Sequence, residues 1–349
     1  MIKNDKNPYT ILFGKSPILS ISRASQMTDI VESFSCTPPT QQIYMITGVR
    51  GCGKTVFMTE LSKELGSDKD WIVVDLNSSG DLIHDLAADL ASRDSLARLF
   101  QKGKINLTVF GLGLEVEGTV PITNIQLAVG EMLENIKKHK KRVLVCIDEV
   151  NNSEAMRFFA SAFQIYVRKD LPIFLLMTGL YENVNNLQNE SNLTFLYRAP
   201  KVHLKPLNIG TISESYAKTF DKDQETALEM AKLTMGYSFA FQVLGYFTWK
   251  HGGDYKAALS DYRQYLEDYV YEKIWMGLSG VDRKFLNAVA GSKTGKAADI
   301  KKQLAIENNQ YTPYRDRMIK RGLLNGEEHG VLRFTLPLFD EYVIRNSQE

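Results

Sequence analysis

The chain has 349 residues, with 42 Lys and Arg against 41 Asp and Glu, a formal net charge of +1. That balance excludes a surface uniformly attractive to nucleic acid, so any DNA contact must come from a local patch. Apolar residues at 44% and charged residues at 24% exclude a disordered chain, and the length implies two or three domains.

Residues 1–41 are mixed, with Pro8, Pro17 and the Pro38-Pro39 pair, and read as an arm, a helix near 24–34 and a linker. The arm begins Met-Ile-Lys-Asn-Asp-Lys and lacks the apolar core of a signal peptide. An α/β pattern follows over 42–208. Apolar runs at 43–47, 71–76, 143–147, 173–178 and 202–204 predict five strands. Helices are predicted near 54–65, 81–92, 124–138 and 153–168, and Leu82, Ile83, Leu86 and Leu90 share one helical face. Strands apolar on both faces and separated by helices predict a parallel sheet with right-handed crossovers. Residues 105–118 break that rhythm. They alternate, with glycine near the turn, and predict an inserted β-hairpin. Its Phe110, Leu112 and Leu114 either face a partner or pack on the parent domain, and packing is the plainer reading.

From about 209 the strand runs stop. Residues 209–278 read as a helical domain whose aromatic stripe (Tyr216, Tyr237, Phe239, Phe241, Tyr246, Phe247, Trp249) is core. Residues 279–349 change again, with helices predicted at 281–290, 297–305 and 313–321. Strands at 323–324 and 331–335 follow, around a turn through 325–330. Three helices and a two-stranded wing is the winged-helix order. Thr312 as cap, Pro313 at the first helical position and Gly322 at the end bound the third helix. No apolar run approaches the roughly 18 residues a membrane span needs, so no membrane partner and a cytoplasmic location are expected. Cys36, Cys52 and Cys146 have no paired or metal-like spacing, which fits a reducing compartment.

Two segments carry chemistry. Gly48-Val49-Arg50-Gly51-Cys52-Gly53-Lys54-Thr55 fits G-x-x-x-x-G-K-[ST] without a mismatch, between a predicted strand and a predicted helix. Glycines let successive backbone N–H groups turn toward phosphate oxygens, and the following helix presents its positive end. Lys54 then reaches the β- and γ-phosphates of ATP, and Thr55 offers its hydroxyl to Mg²⁺. Cys52 inside the loop reads as a small filler. The run 143–147 ends in Asp148-Glu149. Asp148 is placed to hold Mg²⁺ through water, and Glu149 to orient or deprotonate the attacking water. Thr178, at the end of the next strand, is a candidate for the γ-phosphate or the water. Arg198, before the last strand, is either an arginine finger on a neighbouring subunit's ATP or a surface arginine. The chain is therefore expected to bind ATP or ADP with Mg²⁺ and to hydrolyse ATP.

Residues 281–321 hold ten Lys and Arg against four Asp and Glu, a balance of +6. Arg315, Arg317, Lys320 and Arg321 crowd the third helix, while Tyr314 and Met318 suit its buried side. Such a helix either enters a DNA major groove, with arginines on phosphates or guanine edges, or is a solvated face.

The order of P-loop, Asp148-Glu149, Thr178, Arg198, helical lid and winged helix resembles the AAA+ superfamily of ASCE-type P-loop ATPases. More narrowly, it resembles the bacterial and archaeal ATPases related to replication initiators and to STAND NTPases. The resemblance spans nearly the whole chain. It implies a core over 42–208, a lid over 209–278 and a winged-helix domain over 279–349. Phe13-Gly14-Lys15-Ser16-Pro17 with Ile21-Ser22-Arg23 is similar to the group's leading segment, which implies that Arg23 sits near the adenine, although Ser22 stands where the group has glycine. Leu204-Lys205-Pro206-Leu207 resembles its link to the lid, and residues 314–324 resemble its winged-helix segment. Gly236-Tyr237-Ser238-Phe239 falls where initiators carry a lid arginine and STAND members a Gly-x-Pro, and it has neither, which implies slow hydrolysis. The resemblance implies an ATP-dependent switch acting on DNA, or a nucleotide-gated assembly module without DNA, and in either form a nucleotide-dependent homo-oligomer.

Overall fold

The computed structural model describes residues 6–12, 17–292 and 294–347. The expected leading segment Phe13-Gly14-Lys15-Ser16 lies outside the described residues. The chain divides into two compact units. One comprises Ala24–Thr47 with Lys54–His203. The other comprises Met1–Arg23, Gly48–Gly53 and Leu204–Glu349.

The first unit contains, in order, α1 (Ala24–Ser35), β1 (Ile43–Thr47), α2 (Lys54–Gly66), β2 (Trp71–Asn77), α3 (Leu82–Ser92), α4 (Asp94–Lys102) and α5 (Ile125–Lys138). It continues with β3 (Arg142–Asp148), α6 (Glu154–Arg168), β4 (Ile173–Gly179), α7 (Tyr181–Gln188) and β5 (Lys201–His203). The five strands form one parallel sheet in the order β2-β3-β4-β1-β5. Every residue of β4 is buried, as expected of a central strand covered on both faces. Helix starts follow local chemistry. The side chains of Asp81, Asn124 and Ser153 accept from the amides of His84, Leu127 and Met156. Each such cap stabilises its helix by about 1 kcal/mol. The parallel register aligns Thr47 with both Gly179 and His203, and Ile147 with Met177. The carboxyl ends of β1, β3, β4 and β5 therefore lie along one edge of the sheet, where ligands of open α/β sheets bind.

The expected hairpin at 105–118 is not formed. The segment holds a 3-10 turn at Thr108–Phe110 and no strand. One backbone bond joins its legs, from the Leu107 amide to the Leu114 carbonyl at 2.8 Å. Asn106 directs the path instead. Its side chain accepts from the Thr108 amide and hydroxyl and donates to the carbonyls of Val116 and Thr119. Leu107 and Leu114 are buried in the sheet's core, with Phe110 and Leu112 packed partly against it. The alternation thus reflects a folded loop sealing its parent unit.

The second unit contains α8 (Ile209–Phe220), α9 (Gln224–Leu233), α10 (Ser238–Lys250), α11 (Leu259–Leu266), a π-turn at Glu267–Tyr271 and α12 (Glu272–Met276). These are followed by α13 (Gly280–Gly291), α14 (Ala297–Leu304), α15 (Asn308–Lys320), β6 (Leu324–Asn325), β7 (Arg333–Phe334) and α16 (Phe339–Asn346). Tyr9 of the arm is buried among Tyr216, Phe220 and Phe241, so the aromatic stripe is core. β6 and β7 pair antiparallel. α15 begins earlier than expected. Glu307 caps it in a reciprocal capping box with Gln310, and Pro313 lies inside the helix. The Thr312 hydroxyl bonds back to the Asn308 carbonyl rather than capping. The stronger start signal lay five residues upstream. Gly322, at φ +74°, follows the end of the helix as expected. Among the described residues, no helix is long and apolar enough to cross a membrane.

Candidate functional site

In the first unit, α2 begins at Lys54 and carries Thr55 in its first turn. The Thr55 hydroxyl donates to Asp148 Oδ2 at 2.7 Å. The other carboxylate oxygen, Oδ1, accepts from the Thr178 hydroxyl and, at 3.1 Å, from the Glu149 amide. Thr178 Oγ1 in turn accepts from that same amide at 3.2 Å. The Thr178 carbonyl accepts from the Val150 amide at 2.8 Å. Thr178 is fully buried, whereas Glu149 is exposed. Glu149 sits at φ +52°, in the left-handed region that a side chain occupies at a cost. Thr55, Asp148 and Thr178 are thus brought together, with Glu149 anchored beside them by its backbone. A hydroxyl and a carboxylate in direct contact are hard oxygen donors, and they suit a small divalent cation such as Mg²⁺ that retains most of its waters.

His203 at the end of β5 belongs to this edge as well. Its Nδ1 lies 3.4 Å from the Thr47 hydroxyl. Desolvation first, and the Lys54 cation second, hold its imidazole below the usual histidine range. Arg198 ends a 3-10 turn at Ser191–Arg198, is exposed, and is not among the residues hydrogen-bonded to Asp148, Glu149 or Thr178.

In the second unit, the loop of Gly48, Val49, Arg50, Gly51, Cys52 and Gly53 is closed by the Cys52 amide bonding to the Val49 carbonyl at 3.3 Å. Gly51 and Gly53 take φ of +75° and +94°, so the motif's glycines are conformationally required there. The Arg23 guanidinium donates to the Lys205 carbonyl, to the Cys52 carbonyl at 3.1 Å and to Ser238 Oγ at 3.2 Å. The Tyr237 hydroxyl donates to the Arg50 carbonyl at 2.6 Å, and Ser238 Oγ to the Cys52 carbonyl at 3.0 Å. Cys52 is buried, which fits a filler.

Comparison with known proteins bears on this arrangement. Residues 23–174 match a family described as an ATPase domain predominantly from Archaea. The Walker-type ATPase PABY2304 of Pyrococcus abyssi superposes with a TM-score of 0.64 at 17% identity, covering 93% of this chain and 96% of that one. The ORC2 protein of Aeropyrum pernix, solved as ADPNP–ADP complexes, gives 0.53 at 12% identity, with 93% of each chain covered. At such identities the likeness establishes the fold, that of the P-loop NTPases. Residues 268–343 match a domain of unknown function. Among curated proteins none matches.

Beyond the matched stretch, the basic helix α15 is less available than its sequence suggested. Arg317 donates through Nε, at 2.9 Å, and through Nη2 to Oδ1 of the buried Asp282. Arg321 lies 3.5 Å from the other oxygen of that carboxylate. Arg315 bonds Asp316 at 2.8 Å and the Gly326 carbonyl at 3.3 Å. Of the four candidate DNA contacts, Arg317 and Arg321 are therefore committed to an internal ion cluster, while Lys320 is exposed. Sequence reading missed the roles of His203, Tyr237 and Ser238. Register with Thr47 was the only route to His203. Tyr237 was read as core, and the Tyr-Ser pair after Gly236 as lacking the lid arginine and the Gly-x-Pro.

Proposed function

We propose that this chain binds ATP with Mg²⁺ through Gly48, Val49, Arg50, Gly51, Cys52, Gly53, Lys54 and Thr55, and hydrolyses it as a conformational switch of AAA+ type. The observation that carries this reading is the contact between Thr55 and Asp148 within the stretch that matches the ATPase-domain family. A Mg²⁺ ion there would supply charge compensation for the phosphate oxygens. Lys54 holds the β- and γ-phosphates, and Thr55 and Asp148 hold the metal and its waters. Thr178 fixes the Asp148 carboxylate and the Glu149 amide together, which aims the Glu149 side chain outward to orient the attacking water and take its proton. Arg23 holds the loop end from the arm side, near the expected adenine position. Arg198, being exposed and outside the cluster, fits an arginine finger delivered to a neighbouring copy in a nucleotide-dependent homo-oligomer.

The segmentation into a core at 42–208, a lid at 209–278 and a winged-helix domain at 279–349 is part of this proposal, and three helices followed by an antiparallel pair support its last piece. DNA association through Lys320 and Arg315 is one form of the switch. A nucleotide-gated assembly module without DNA is the other, favoured by the commitment of Arg317 and Arg321 to Asp282. Steady-state MgATP hydrolysis with and without duplex DNA at low salt, against Glu149→Gln, tests the set. The expected result is a variant that binds ATP and has lost turnover. Unchanged turnover removes Glu149 from the chemistry. Indifference to DNA at low salt, where phosphate contacts are strongest, leaves the assembly form.

A further inference from the structure

Three successive carbonyls of the phosphate loop are each held by one of three successive residues, 237–239. The Tyr237 phenol donates to the Arg50 carbonyl at 2.6 Å. The Phe239 amide donates to the Gly51 carbonyl at 3.2 Å. The Ser238 hydroxyl donates to the Cys52 carbonyl at 3.0 Å, an acceptor shared with Arg23. Tyr237 is only 4% exposed, and its ring meets that of Phe239 edge-on. Burial, the largest influence, pushes the phenol well above its ordinary range, so it remains a donor. Gly51 is shaped around it, since a Cβ there would lie 2.1 Å from the phenol oxygen. Gly236, just before the segment, is held as tightly. A Cβ there would lie 2.5 Å from the Leu207 carbonyl, which fixes where residue 237 begins.

A peptide unit is planar and trans, so its carbonyl and the next N–H point in opposite directions. Holding the carbonyls of residues 50, 51 and 52 therefore fixes the N–H vectors of residues 51, 52 and 53. The N–H groups of residues 51 and 53 are among those that a phosphate nest presents, while that of Cys52 bonds back to the Val49 carbonyl and closes the turn. We propose that Tyr237 is a positioning residue for nucleotide binding, and that with Ser238 and Phe239 it latches the loop's peptide planes in the phosphate-receiving orientation. The inference rests on the nucleotide-binding reading above. Because the latch acts on the loop and not on the terminal phosphate, its loss weakens ADP and ATP by the same factor. A group that sensed the γ-phosphate would discriminate between them.

The test compares the whole protein with Tyr237→Phe, which keeps the ring and removes the donor, and with Ser238→Ala. Two readouts are taken: hydrogen exchange at the amides of residues 51–53 without nucleotide, and dissociation constants for ADP and a non-hydrolysable ATP analogue. Loss of one such hydrogen bond is expected to weaken both nucleotides about three- to tenfold, with faster exchange at those amides and a chain that stays folded. Unaltered exchange in both variants, or weakening confined to the triphosphate, overturns the latch. If the wild-type chain binds no nucleotide while exchange still rises in the variants, the nucleotide reading fails and the latch stands. Should Tyr237→Phe not fold, Ser238→Ala carries the same readouts.

Discussion

Glu149 is the residue where local cost and chemistry meet. A left-handed φ on a side-chain-bearing residue costs on the order of 1–3 kcal/mol, and here the amide is held by both Asp148 and Thr178. Glu149 is exposed, while its neighbour Asp148 stays bonded to Thr55. His203 offers a readout from the same edge. Its folded-state pKa is depressed, by burial and then by Lys54. It therefore contributes stability above the unfolded value near 6.5, and that contribution is lost as pH falls through the folded value. A phosphate on Lys54 offsets that cation, so MgADP is expected to raise the His203 titration, with proton uptake on binding and tighter binding as pH falls through that titration. NMR titration of the ring protons with and without MgADP checks this, and His203→Gln assigns the signal among five histidines. An unmoved titration rules the coupling out. The motif residues were legible because phosphate binding demands a contiguous pattern. Tyr237 was not, because its acceptor lies 187 residues away and no local pattern encodes such a pairing.

Among elements, α13 and α15 are joined by the buried carboxylate of Asp282, which also completes the capping box of α13 with Ser279. The Asp282 side chain is 3% exposed and that of Arg317 39%. Asp282→Ala is thus expected to cost about 2 kcal/mol, below the range for fully buried pairs because water screens Arg317. Denaturant unfolding monitored on this unit checks the figure, and a loss within error would reduce the cluster to a surface pair. β1, β3 and β4 were legible because residues buried on both faces leave unbroken apolar runs. The 105–118 loop misled because Leu107 and Leu114 are buried like strand residues, yet Asn106 and three glycines in the left-handed region turn the chain instead. α4 and α7 were missed because they are short, at 9 and 8 residues, and largely polar. The start of α15 was misplaced because Thr312-Pro313 carries a valid start pattern that the Glu307–Gln310 box outcompetes.

For the molecule as a whole, a ligand that binds only the folded chain raises its stability by mass action, about 2.7 kcal/mol at a hundredfold excess over the dissociation constant. Scanning calorimetry is expected to show MgADP raising the unfolding temperature of the wild-type chain and leaving Lys54→Ala unmoved. An equal rise in both would place the nucleotide elsewhere. The near-neutral net charge of +1 gives copies of the chain little mutual repulsion, which suits a protein proposed to associate with itself. The thiols supply the means to count those copies. Cys52 and Cys146 are buried, and Cys36, just past α1, is exposed. A maleimide dye therefore attaches once per chain without any engineered residue, and the number of photobleaching steps in a single immobilised particle is the number of chains it contains.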